Sequence, residues 1–359
     1  MSAASGPGPR VLCAGDLFIT EQALAEAARD ALGADIAVAG HRSQWPDVPF
    51  GPVDGVREAA GDPAEIATLA ADAEVILTHL APITSAVLAG ARGLKVVGVT
   101  RGGPVNVDLA AATACGVPVL YLPGRNLGAV AEFVIGMMIT LPRNVAAASL
   151  SMTTGIWDAR YYRHEMTGLE LRASTVGLVG LGAVGLRVAQ RLRAFGSTVL
   201  AYDPYAAPEA AQQAGAQLVE LDELLSRSDT VSLHARLTED TRKMFDARSF
   251  AAMKPGAMFI NTARGELVDQ PALTAALLSG HLGGAALDVF DPEPPQADDP
   301  LLALPQVIAT PHIAGASRQV AADSVARVGT AVAGFLKTGE TGYCANPGWA
   351  ANSRDGGLT

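Results

Sequence analysis

Apolar residues recur along this chain in two alternating rhythms. Short continuous runs alternate with stretches spaced at three and four, which predicts βα units assembled into parallel sheets. In the first half the strand runs fall at residues 10–14, 34–39, 74–77, 94–98 and 117–120, with a helix over 20–32; Gly, Pro or polar turn residues close each run. Residues 128–139 read as a helix, and 146–150 carry helical signal past Pro142. The second half repeats the rhythm with strands at 175–179, 198–202, 230–234, 257–261, 285–290 and 307–310, then a helical stretch over 317–336. The Gly/Asn/Ser-rich tail past Asn346 is expected to be loosely ordered.

Between the strand that opens at Thr175 and the helix that follows it lies Gly180-x-Gly182-x-x-Gly185. In a Rossmann unit the first glycine makes the tight turn, the second lets a pyrophosphate approach the backbone, and the third packs helix on strand. Gly180, Gly182, Ala183, Val184 and Gly185 are therefore candidate cofactor contacts. Asp203 follows Gly185 by 18 residues at the end of the next strand, where a carboxylate accepts the ribose hydroxyls and repels a 2′-phosphate. The expected cofactor is NAD.

Bulk properties narrow the partners. A formal charge of −10, from 26 basic and 36 acidic residues, leaves no basic footprint for nucleic acid or anionic lipid. Cys13, Cys115 and Cys344 are too few and scattered for a disulfide framework or a zinc knuckle, and no metal site is expected. Residues 1–10 lack the apolar core of a signal peptide, and no uncharged run is long enough to span a membrane. A cytoplasmic protein acting on small molecules is expected.

In open α/β sheets ligands sit beyond the carboxyl ends of the strands. Three such loops carry chemistry: Asn261-Thr-Ala-Arg-Gly265, Leu287-Asp-Val-Phe-Asp-Pro-Glu-Pro294 and Thr310-Pro-His-Ile-Ala-Gly315. In this order, with Val130-Ala-Glu132, Leu233-His234, Met253-Lys-Pro-Gly256 and the glycine turn, they resemble the signatures of D-isomer-specific 2-hydroxyacid dehydrogenases over roughly residues 75–345. The likeness is to phosphoglycerate dehydrogenase-like members without a regulatory C-terminal domain.

The resemblance implies two doubly wound parallel-sheet domains. A Rossmann NAD-binding domain, 107–315, would be inserted in a flavodoxin-like substrate domain formed by 1–106 and 316–359. It also implies a homodimer built through the coenzyme domain, with the apolar helix over 131–139 contributing or serving as core. His312 is the candidate acid/base, Glu293 the carboxylate that orients it and raises its pKa, and Arg264 the fork that binds the substrate carboxylate and polarises the C2 oxygen. Asp288, given to the nicotinamide carboxamide, joins His234, Thr262 and Ala263 as a further cofactor contact.

The substrate side departs from the family. Val99-Thr-Arg-Gly-Gly-Pro-Val-Asn106 puts Arg101 where a small residue is usual, although consecutive amides at Gly102 and Gly103 still suit a carboxylate. The loop 78–84 lacks the arginine that phosphoglycerate enzymes use for phosphate and offers His79 instead. Arg125 and Asn126 complete the candidate substrate contacts, and an arginine there suits an extended anionic or polyhydroxylated acid. The expected reaction interconverts a D-2-hydroxy acid and its 2-keto acid. Alternatives are phosphoglycerate oxidation and an NAD(H)-sensing binding protein of corepressor type; formate oxidation is disfavoured, because formate enzymes carry glutamine where Glu293 stands.

Overall fold

Continuous apolar strands call for helices on both faces, and the computed structural model, which describes residues 8–352, builds them into two parallel sheets and one small hairpin. One unit comprises the chain up to Arg125 and the chain from Ser317 onward; the other is Asn126–Ala316.

The first unit contains β1 (Arg10–Gly15), α1 (Glu21–Leu32), β2 (Ala37–Arg42), a hairpin of β3 (Gly51–Val53) and β4 (Val56–Ala59), and α2 (Pro63–Ala70). It continues with β5 (Val75–Thr78), α3 (Ser85–Gly90), β6 (Val96–Val99), α4 (Leu109–Ala114) and β7 (Val119–Leu120). Thr20 caps α1, its Oγ1 accepting from Ala23 N at 3.2 Å, and Asp62 caps α2 with Pro63 in the first turn. The sheet runs β2-β1-β5-β6-β7, so the order reverses between β1 and β5. The order is that of flavodoxin-like sheets.

The second unit opens with α5 (Leu127–Thr140) and α6 (Val145–Thr153), bent by 71° where Asn144 turns left-handed at φ +53. Three 3-10 turns follow, then β8 (Thr175–Val179), α7 (Ala183–Phe195), β9 (Thr198–Tyr202), α8 (Pro208–Ala214) and β10 (Ala216–Leu218). The other half is α9 (Leu221–Arg227), β11 (Thr230–Leu233), α10 (Ala247–Ala252), β12 (Met258–Asn261), α11 (Gln270–Leu278), β13 (Gly284–Leu287) and β14 (Val307–Ala309). Its sheet runs β10-β9-β8-β11-β12-β13-β14, all parallel, the Rossmann order with one added edge strand. Finally α12 (Arg318–Thr338) returns to the first unit, against Gly98, where a Cβ would lie 2.8 Å from Val328 Cγ2.

Three expectations shift. The chain enters the second unit at Asn126 rather than 107, because β7 completes the first sheet. The strand expected over 285–290 ends at Leu287, which leaves Asp288 in the loop beyond it. The tail is ordered through Pro347–Asn352, a 3-10 turn whose Trp349 packs edge-on against Phe335 at 5.6 Å. The rest of the tail, and residues 1–7, lie outside the described residues. Among the described residues no single helix is long and apolar enough to cross a membrane.

Candidate active site

The order of the second sheet reverses between β8 and β11, and the glycine turn leaves β8 at that point. A Cβ on Gly180, at φ +96, would lie 2.6 Å from Ala235 N, and one on Gly185 would lie 2.3 Å from Gly180 O. Backbone packing alone forbids side chains there. At Gly182, by contrast, nothing lies within 4 Å of the place a Cβ would take. Gly182 opens α7, whose first amides, at Ala183 and Val184 among others, receive no side-chain cap. Open space before uncapped helical amides is the cradle that a pyrophosphate fits.

Asp203, after β9, accepts from Leu181 N at 2.8 Å and from Tyr205 N at 2.9 Å, which fixes its carboxylate beside the glycine turn. His234, after β11, has Nε2 3.1 Å from Ser232 Oγ, and burial pushes its pKa down to about 4. It is neutral at physiological pH. Thr262 Oγ1, after β12, is buried without a hydrogen-bond partner among the described residues. Together these groups fit a dinucleotide.

Loops after β12, β13 and β14 carry Arg264, Glu293 and His312. Asn261 shapes the first: Oδ1 accepts from Ala263 N at 3.0 Å and Nδ2 donates to Arg264 O at 2.8 Å. Gly265 follows because a Cβ would sit 1.9 Å from Phe290 O, so this turn packs directly on the loop after β13. Arg264 is exposed; its Nη1 donates to Ala263 O at 2.6 Å, which leaves most of the fork free.

His312 Nδ1 stands 2.6 Å from Glu293 Oε1. The residue holds a left-handed backbone, φ +54, and its N–H donates to Thr310 O at 3.0 Å. Such strain persists only where the surroundings impose it. Asp288, 1% exposed, does so: Oδ1 accepts from Thr310 Oγ1 at 2.6 Å and Ile313 N at 2.8 Å, while Oδ2 accepts from Ala314 N at 2.8 Å. Three donors already engage this carboxylate, so it buttresses the His312 loop and keeps little acceptor capacity for any coenzyme contact. Asn126 lies against the same loop, since a Cβ on Gly315 would meet its Nδ2 at 2.3 Å.

The hydrogen bond to Glu293 raises the His312 pKa against the opposing effect of burial; the Glu293 and Asp288 charges add to the rise and Arg264 reduces it. Burial tends to raise Glu293, but the hydrogen bond and charge of His312 outweigh it and the carboxyl is lowered. The pair thus holds its proton on the imidazole. Nε2 is left to exchange a proton with a reacting oxygen.

His79, Arg101, Gly102, Gly103 and Arg125 belong instead to the first unit, at the carboxyl ends of β5, β6 and β7. His79 Nδ1 stands 2.6 Å from Oδ2 of Asp16, the residue after β1, and Arg125 Nη2 lies 3.3 Å from His79 Nε2. Arg101 Nη2 donates to Glu58 Oε2 at 2.7 Å. Sequence reasoning missed Asp16 and Glu58. The position of Asp16 directly after the first strand was the available signal. Arg236, after β11, stands where the resembling family usually has proline, and nothing in the structure explains that change.

Residues 135–314 match the family described as D-isomer specific 2-hydroxyacid dehydrogenase, NAD binding domain. Over 263 residues the chain is 43% identical to D-3-phosphoglycerate dehydrogenase of Mycobacterium tuberculosis, a match covering 73% of this chain and 48% of that one. It is 41% identical over 254 residues to Bacillus subtilis YoaD, which carries the name of a 2-hydroxyacid dehydrogenase, covering 70% of this chain and 73% of that one. The structure reported as the pyruvate reductase of Chlamydomonas reinhardtii superposes with a TM-score of 0.74 at 27% identity, over 94% of this chain and 98% of that one. The chain spans about half the length of the phosphoglycerate dehydrogenases it matches.

Proposed function

The chain belongs to the D-isomer-specific 2-hydroxyacid dehydrogenase family, and from that premise we propose that it is an NAD-dependent oxidoreductase interconverting a D-2-hydroxy acid and its 2-keto acid. The 2.6 Å contact of His312 with Glu293, on loops neighbouring Arg264, carries this reading. NAD would be held by Gly182 and the first amides of α7 at its pyrophosphate, by Asp203 at the ribose, and by His234, Thr262 and Ala263 around the rest. When bound, it supplies or takes the hydride.

The remaining chemistry is done by side chains. The Arg264 fork pairs with the substrate carboxylate and draws charge onto the C2 oxygen. In keto-acid reduction His312 Nε2 gives its proton to that oxygen; in oxidation it takes the proton from the hydroxyl. Glu293 fixes the ring through Nδ1 and stabilises the imidazolium form. Asp288 keeps the loop in the strained conformation that presents the imidazole.

The test is NADH consumption against glyoxylate, pyruvate, hydroxypyruvate, oxaloacetate, 2-ketoglutarate, phosphohydroxypyruvate and sugar-derived 2-keto acids, with His312→Ala alongside. Turnover of at least one acid is expected, falling by about 10²–10⁴ in the variant. A protein that binds NADH and reduces none of them would contradict the reading.

This reading includes a cytoplasmic homodimer. All three cysteines are free, which suits a reducing compartment. The inward face of α5, with Ala131, Val134, Ile135 and Met138, packs in the core of its own unit. The exposed hydrophobics Val145, Leu150, Met152, Ile156 and Trp157, on and just after α6, offer the apolar surface a dimer needs. Light scattering is expected to return twice the chain mass, and a monomer at micromolar concentration would overturn the dimer.

A further inference from the structure

The first unit holds a charged cluster that the chemistry of His312, Glu293 and Arg264 does not use. Loops leaving β1, β5, β6 and β7, neighbouring strands of one parallel sheet, bring together Asp16, His79, Arg101 and Arg125. The point where strand order reverses, between β1 and β5, is where sheets of this kind receive ligands. Leu122 ties the two arginine segments, donating its N–H to Arg101 O at 2.9 Å and accepting from Arg125 N at 3.3 Å.

Both guanidinium groups are held in place. Glu58 clamps Arg101 at 2.7 Å. Arg125 makes no ion pair among the described residues; its Nη2 donates to His79 Nε2 at 3.3 Å. A guanidinium only donates, so Nε2 is the acceptor, Nδ1 carries the proton toward Asp16, and the ring is neutral. Burial, which pushes the His79 pKa down, agrees. Asp16 is anchored in turn, its Oδ1 accepting from Phe18 N and Ile19 N at 2.9 Å each. A carboxylate in place of His79 would neutralise Arg125, whereas a neutral imidazole fixes the guanidinium and leaves its charge available.

Two donors of the cluster have no acceptor. Nη1 of Arg101 and Nη1 of Arg125 are both buried without a hydrogen-bond partner among the described residues. Burial pushes Arg125 down to about 10, and the neighbouring Arg101 charge adds to the fall against the opposing charge of Asp16. One anionic group between the forks would satisfy both donors and remove the repulsion.

We propose that Arg101 and Arg125 form an anion seat, positioned by Glu58 and by the Asp16–His79 relay, which takes a carboxylate or phosphate and makes acids with a second anionic group the preferred substrates. The substrate half rests on the dehydrogenase reading above; the seat itself does not.

NADH oxidation is compared between two sets of acids, oxaloacetate, 2-ketoglutarate and phosphohydroxypyruvate on one side and glyoxylate, pyruvate and hydroxypyruvate on the other. The wild type is expected to prefer the first set, with the carboxylate and phosphate members separating the two sources of the anion. Arg125→Gln should cut kcat/KM for that set by about tenfold or more beyond its effect on the second, mainly through KM. His79→Gln, which keeps a donor and an acceptor, should retain most of the preference, while His79→Leu should lose it; a space-filling role would not give that contrast. Preference for the singly charged acids, or equal losses on both sets, overturns the seat.

If no acid is reduced, calorimetric titration of the coenzyme-free protein with malonate and with inorganic phosphate decides. Binding that Arg125→Gln weakens by about tenfold or more supports the seat and condemns only the dehydrogenase reading. Absent binding, or equal binding by both proteins, overturns the seat. Should Arg125→Gln not fold, Arg101→Gln carries the same comparisons.

Discussion

Two histidines in this molecule touch a carboxylate at the same 2.6 Å, and their proton affinities move in opposite directions. His312, beside Glu293, is partly open to solvent and faces a second carboxylate, Asp288, so its imidazolium form gains and the pKa rises. His79, beside Asp16, is 3% exposed and meets Arg125 on its other nitrogen, so burial and that cation keep it neutral. A carboxylate–histidine pair is therefore not in itself an acid/base device. Burial decides first and the group on the far nitrogen adds to it: a partly open ring with a free Nε2 makes a proton donor, and a buried ring facing a guanidinium makes a fixed acceptor.

The largest expected contrast is in turnover. His312→Gln should lower kcat by about 10²–10⁴, while His79→Gln acts mainly on KM. Equal losses in kcat would break the distinction. Next comes the support of the strained loop. Asp288→Ala leaves three donors without their acceptor, at about 1–3 kcal/mol for each that stays buried, and thermal melts should show a clear fall in midpoint. A midpoint at the wild-type value would mean that this carboxylate does not hold the His312 loop.

Glu293→Gln sharpens the comparison through pH. Without the carboxylate the raised His312 pKa returns toward its ordinary value, so the alkaline limb of kcat/KM for keto-acid reduction should move acidward. An unmoved limb would assign that titration elsewhere. The smallest effect is on stability, where the two histidines have opposite signs. The raised His312 pKa contributes stability below the unfolded value, about 6.5, that is lost as pH rises through the folded pKa. The lowered His79 pKa contributes stability above about 6.5 that is lost as pH falls toward the folded pKa. His312→Gln should thus be most destabilising on the acid side of neutrality and His79→Gln on the alkaline side, as melts across that range would show.

The sheet rhythm, the glycine turn and the three loops with Arg264, Glu293 and His312 were legible because each lies at the end of a strand whose apolar run is visible in sequence. Asp16 and Glu58 were not, since they lie 63 and 43 residues from their partners and only the sheet order brings them near. The β3–β4 hairpin, with its central Asp-Gly, carries too few apolar residues to announce itself. Asp288 read as part of a strand because the run over 285–290 continues past the last paired residue, Leu287. Composition misjudged residues 347–352, where Trp349 has an aromatic partner that sequence alone does not reveal.

Histidine-selective NMR titration, with resonances assigned from His312→Gln and His79→Gln, tests the contrast most directly. His312 is expected to titrate above about 6.5 and His79 to stay neutral well below it. His312 titrating below that value, or His79 above it, would contradict the assignment of one pair to proton transfer and the other to holding Arg125.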